Sequence, residues 1–130
     1  STAIKAQTYL ELADCYTWRN QKLPKAIEYA KLAMDLGEKP ATASTIIAHA
    51  LLRTGQVRQA EAYLNRNGSV DDFEVIYLTG LIHYRNGSRQ EANRIWKPLL
   101  SKQSKSLRVH NIKQEILRYY FDGAPYLKAN

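Results

Sequence analysis

What this chain of 130 residues lacks is informative: it has one cysteine and four prolines. No apolar run approaches the ~20 residues needed to span a bilayer. Cys15 alone cannot form an internal disulfide, so the fold needs no oxidising compartment; that favours the cytoplasm and leaves a periplasm open. No charged segment followed by an apolar stretch opens the chain, as it would in a secretory signal. The first residue is Ser1 and not methionine, which suggests a trimmed or processed chain, one from which targeting information can be missing. No glycine-rich phosphate loop is present. His49, His83 and His110 are far apart with no carboxylate patterned beside them, and no spaced Cys, His and carboxylate set suggests a metal. The expectation is therefore no catalytic residue, no metal and no cofactor. Cys15, beside Leu12, Ala13 and Tyr16, reads as a small buried hydrophobe and not as a nucleophile.

Acidic residues are scarce in one region. The net charge of +7 lies wholly in the last third: Ser1–Tyr84 balances nine Lys/Arg against nine Asp/Glu, whereas Arg85–Asn130 has ten against three. Lys102, Lys105, Arg108, Lys113 and Arg118 are the candidate basic surface. Such an asymmetry speaks to partners and association rates, not to fold. Three readings stand: a solvated face, attraction to an acidic protein or lipid surface, and a track along a nucleic-acid backbone. Arg108, Ile112 and Tyr119 share a face only loosely, so there is no stripe of interleaved rings and cations.

What the chain does have is helical periodicity, repeated. In Ala6–Pro40, Tyr9, Leu12, Ala13 and Tyr16 fall on one helical face; after a break at Asn20-Gln21-Lys22, so do Leu23, Ala26, Ile27, Ala30, Ala33 and Met34. Pro24 suits the start of the second helix and Gly37 its end. Small residues then recur at Ala13, Ala48 and Gly80, and at Ala26, Ala60 and Ala92, with steps of 32 to 35 residues. Thr54-Gly55 and Asn86-Gly87 mark the later turns. Pro40 opens a helix over about 41–54, followed by 56–66, a loop at Asn67-Gly68-Ser69, and a helix over about 70–86 that Ser69 and Asp72 would cap. Asp71-Asp72 reads as charge complementing the start of that helix. Ser88-Arg-Gln-Glu91 reads as a capping box. Pro98 should kink or end the next helix. Ser101–Ser106 is a polar loop, and a last helix over about 106–121 presents Leu107, Val109, Ile112, Ile116, Leu117 and Tyr120. Asp122-Gly123-Ala124-Pro125 stops it.

Three hairpins of this kind resemble the tetratricopeptide repeat family over roughly residues 6–100. The likeness rests on Leu12-Ala13-x-x-Tyr16 with Ala26-Ile-Glu-Tyr-Ala30-x-x-Ala33, on Ala48-x-x-Leu51 with Gly55 and Ala60, and on Gly80 with Gly87 and Ala92. Departures are an extra residue in the first turn, Glu38 in place of proline, a short second leg before Asn67-Gly68, Pro98 in the third, and Thr79 and His83 in slots usually leucine and tyrosine. The second hairpin, Thr45–Leu64, also looks somewhat like a pentatricopeptide repeat, an RNA-reading relative, but base-by-base reading needs several copies.

The resemblance implies an all-α superhelix in one domain over 1–130: hairpins at about 6–40, 41–69 and 70–103, a capping helix at 106–121 that covers the last apolar face, and a tail at 122–130. It also implies a concave groove for a partner protein segment, lined by Leu10, Asp14, Thr17 and Trp18, then Thr45, Ile46, His49, Leu52 and Arg53, then Tyr77, Leu78, Leu81, Tyr84 and Arg85. His83 falls in a core slot. The family members that clamp the acidic tail of a chaperone do so with Lys, Arg and Asn; the matching slots here hold Leu10, Asp14, Glu74 and Leu78, which would repel a carboxylate. The expected function is thus a non-catalytic scaffold binding a protein segment, with self-association through an uncovered N-terminal face left open and nucleic acid as the alternative.

Overall fold

The computed structural model describes residues 1–66 and 72–121; the loop at 67–69, Ser69 and Asp71 as helix-start residues, and the stop and tail at 122–130 lie outside them. The described chain is helical, with no strand among the described residues: α1 (Thr2–Trp18), α2 (Leu23–Asp35), α3 (Pro40–Arg53), α4 (Val57–Asn65), α5 (Phe73–Arg85), α6 (Arg89–Ser101) and α7 (Leu107–Glu115), the last continued by a π turn over Ile116–Tyr120. Two compact units result, Ser1–Gly68 with α1–α4 and Ser69–Asn130 with α5–α7.

One turn geometry closes the first helix of all three hairpins. After α3, Gly55 (φ 82°) lets its own N–H reach Leu52 O at 3.1 Å and that of Gln56 reach Leu51 O at 2.9 Å. After α5, Gly87 (φ 86°) does the same, with Ser88 N on His83 O at 2.9 Å. This double bond set is the Schellman end of a helix. After α1, Asn20 (φ 55°) takes the glycine's place, with Gln21 N on Tyr16 O at 2.9 Å, and Lys22 (φ 48°) is the extra residue seen in the sequence. Asparagine tolerates the left-handed region better than most residues with a Cβ. Pro24 and Pro40 each open a helix, where the missing N–H costs nothing.

Packing in the first unit differs from the sequence reading in which face is covered. All the recurring small residues are buried, Ala13, Ala26, Ala48 and Ala60 completely. The buried stripe of α1, however, is Ala6, Leu10, Ala13 and Thr17, while Leu12 is 39% exposed. Tyr9 and Tyr16 are half-buried and stack on Tyr29 of α2, with centroids 5.6 and 6.3 Å apart. Helix α1 packs on both α2 and α3, so it has two covered faces, and Cys15 falls on neither. The cysteine is exposed, not buried. It should therefore react with a thiol reagent such as DTNB in native buffer, one equivalent at the rate of a small-molecule thiol; a reaction that needs denaturant would overturn this placement. Helix α3 contacts α1, α2 and α4 and is buried from Ala43 to Leu52 without a break. A helix covered all round is a core helix.

In the second unit, Asp72 caps α5 by accepting from Glu74 N (2.9 Å) and Val75 N (3.1 Å). The core is an aromatic cluster around Trp96 of α6, which is fully buried. Its ring lies beside Tyr77 and Tyr84 of α5 and Tyr120 of the π turn, with centroids at 6.4, 6.1 and 5.5 Å. Its indole N–H donates to Tyr77 O at 2.9 Å. Buried Gly80 leaves room for that ring. Two expectations are corrected here and one is narrowed. Ser88 precedes α6 but makes no side-chain cap, and the Glu91 carboxylate, the other half of the expected box, accepts from Arg94 Nε at 2.9 Å. That pairing holds the Glu91 carboxyl below its ordinary range. Of the two outcomes expected at Pro98, a kink or an end, the end is excluded: α6 runs on to Ser101, with the proline in its last turns, where it removes one intrahelical bond. Finally, α7 buries only Ile112 and the π turn only Ile116, and Leu107 is 73% exposed. The π turn, closed by Phe121 N on Ile116 O at 2.7 Å, adds one residue to the turn and brings Tyr120 onto Trp96 and Tyr84. Both α7 and the π turn lie against α5.

Candidate functional site

In the first unit, Trp18 ends α1 and His49 and Arg53 lie one turn apart near the end of α3. The Trp18 ring meets the His49 ring edge-on at 4.8 Å, and the Arg53 guanidinium sits 5.6 Å from the Trp18 ring centre. Arg53 Nε–H donates to His49 Nε2 at 3.0 Å. The acceptor nitrogen must be unprotonated, so this imidazole is neutral with its proton on Nδ1. His49 is 1% exposed, whereas His83, assigned to the core from the sequence, is half-buried.

Most of the residues expected to line a groove are interior. Leu10, Ile46, Leu52, Leu81 and Tyr77 are each 5% exposed or less. Thr17 is buried and bonds Ala13 O at 2.7 Å, and Thr45 bonds Ala41 O at 2.9 Å. Asp14, Trp18, Arg53 and Tyr84 are half-buried, and Arg85 is exposed. Tyr84 supports the Trp96 cluster with its ring, and its hydroxyl accepts from Arg89 at 2.7 Å. The apolar members therefore serve packing; the polar and aromatic rim is what remains at the surface.

Of the basic set, Lys102, Lys105, Arg108 and Arg118 are exposed and Lys113 is half-buried. They are not equivalent. Arg108 pairs with Glu74 of α5 at 2.9 Å, Lys113 donates to the Lys102 carbonyl, and Arg118 lies over the Tyr119 ring at 5.3 Å. Two of the five cations thus tie α7 to its surroundings.

Sequence reasoning gave Trp96 no role, although it is the largest buried side chain. The available signal was Gly80, since a glycine inside a helix costs about 1 kcal/mol against alanine and so marks a close approach. Among the described residues no group of three His, Cys, Asp or Glu could hold a metal ion, and no helix is long and apolar enough to cross a membrane. Compared with protein-family models, with curated proteins and with solved structures, the chain matches none.

Proposed function

We propose that this chain is a non-catalytic interaction module, a short superhelix of tetratricopeptide-like hairpins that binds a segment of a partner protein. The observation that supports it most is the shared Schellman turn after α1, α3 and α5, each followed by a second helix with a fully buried alanine at the matching position (Ala26, Ala60, Ala92). Repeating units of this kind stack neighbour on neighbour, and their common use is a broad docking surface. Contact would come from the rim: Asp14, Trp18 and Arg53 in the first unit, Tyr84 and Arg85 in the second. The buried leucines and Tyr77 would hold the helices that present it. The His49 lone pair that a general base would use is occupied by Arg53, which favours a structural histidine.

The test is affinity purification from the source cell followed by mass spectrometry. Asp14→Lys combined with Arg85→Glu should remove the captured partner while the circular dichroism spectrum is unchanged. Lys102→Glu with Lys105→Glu should leave capture intact. Loss in the second variant and not the first would favour the basic end, and a steep fall of affinity with salt would then point to phosphate contacts.

A further inference from the structure

The first 84 residues balance in charge along the sequence, but the fold does not leave them balanced in space. Helix α3 packs on α1 and α2, and the Arg53–Trp18 contact puts the α1–α2 turn and the α3–α4 turn side by side at one end of the first unit. That end gathers Arg19, Lys22, Lys25, Arg53 and Arg58. No acidic residue lies within residues 15–27 or 50–60; of the three that border those stretches, Asp14 is half-buried, Glu61 is exposed on α4, and Glu28 pairs with Lys25 at 3.4 Å with both side chains well exposed. Arg19, Lys22, Lys25 and Arg58 are exposed.

Local folding accounts for only part of this pattern: Arg19 and Arg53 sit at the C-terminal ends of α1 and α3, where a cation is favourable. Lys25 and Arg58 sit in the first turns of α2 and α4, neither of which has an acidic residue there. The start of a helix is its positive pole, so cations there work against the helix that bears them. Their collection at one end of the unit therefore points outward, to an anionic partner.

We infer that this turn end is a docking surface for an acidic, carboxylate-rich segment of a protein partner. The chemistry favours a peptide over a nucleic acid. Single strands gain affinity by stacking bases on open aromatic faces. The rings present here are already engaged: Tyr16 and Trp18 are half-buried, Lys22 lies over Tyr16 at 5.5 Å, Lys25 over Tyr29 at 5.8 Å, and Arg53 over Trp18. What the surface offers is charge and N–H donors, with Lys22 and Lys25 exposed on long side chains that can follow a flexible chain. This goes beyond the groove: none of the cations reversed below is a groove residue, so failure here leaves that reading standing, and the reverse.

The probe is a fluorescein-labelled peptide of alternating glutamate and glycine, about ten residues long, enough to reach across neighbouring helix ends when extended. Its anisotropy should rise on titration with the full chain at about 50 mM salt and fall back as added salt screens the charges. Lys22→Glu with Arg58→Glu should weaken binding about tenfold or more, as reversal of contact charges does. Lys102→Glu with Lys105→Glu should not. If the reversed variant loses helicity, Lys22→Gln with Arg58→Gln gives the same comparison. No binding by the wild-type chain, or equal binding by the turn variant, overturns the proposal. An oligouridine of the same length that binds more tightly than the peptide and is lost in the same variant replaces the peptide with nucleic acid as the occupant.

Discussion

Trp96→Ala should destabilise the second unit by about 3–5 kcal/mol, the range for removing a large buried aromatic side chain. The indole is fully buried and touches three tyrosine rings from two other segments. At roughly 25 cal/mol per Å² the 150–250 Å² such a ring covers is worth about 4–6 kcal/mol before any relaxation. Relaxation is limited, because Tyr77 is itself buried and Tyr120 is held by the π turn. The hydrogen bond to Tyr77 O adds a smaller term, about 1 kcal/mol net. Trp96→Phe separates the two: it keeps an aromatic ring and loses the donor, and should cost clearly less than the alanine. Urea titration followed by circular dichroism measures both. A loss under about 1 kcal/mol for the alanine variant would mean that the cluster does not organise this unit.

Elsewhere the sequence was a good guide to turns and a poor one to faces, for a physical reason. A turn is specified by one or two residues: Gly55, Gly87 and Asn20 must adopt a left-handed backbone, and few residue types do so without strain. The crossing points were equally local, since Ala13, Ala26, Ala48, Ala60, Gly80 and Ala92 are small and all proved buried. A face depends on what packs outside it. Helix α1 mixes Ala, Leu and Tyr around its whole circumference and meets two helices, so Tyr9–Leu12–Ala13–Tyr16 and Ala6–Leu10–Ala13–Thr17 are equally regular in sequence. Only the packing chooses between them, and the choice exposes Cys15 and Leu12. The groove residues were assigned by matching slots, which presumes an open side. Nothing in the periodicity of Pro40–Arg53 indicates that Ile46, His49 and Leu52 are enclosed.

Charge follows the same logic. Counted along the chain, the excess belongs to the last third. Counted in space, α1–α2–α3–α4 brings five cations from two separate turns to one end, while Arg108 in the basic third is taken up by Glu74. Linear counting overstates one surface and misses the other, because helix packing brings together residues as distant in sequence as Trp18 and Arg53.

Gly80→Ala, a change of one methyl group, should destabilise the second unit by about 1–3 kcal/mol, the cost of overfilling a packed core. In an exposed helix the same change would stabilise by about 1 kcal/mol. The sign reverses because the new Cβ would stand 2.1 Å from Trp96 Nε1, 2.5 Å from Cε2 and 2.6 Å from Cδ1. No real contact is so short, so something must move. The indole is rigid, fully buried and fixed by its bond to Tyr77 O, so the displacement would have to pass into the backbone of α5 or α6. A double-mutant cycle makes the cause explicit. With Trp96→Ala as the background, the obstruction is gone, and Gly80→Ala should be neutral or stabilising. The coupling between the two sites should reach the upper part of the 0.5–3 kcal/mol range found for residues in contact. Trp18, the chain's other tryptophan, lies in the first unit. With Trp18→Phe in place, fluorescence therefore follows Trp96 alone and should show the Gly80→Ala transition at lower urea. Equal effects of Gly80→Ala with and without the indole would show that the glycine serves the backbone and not the ring.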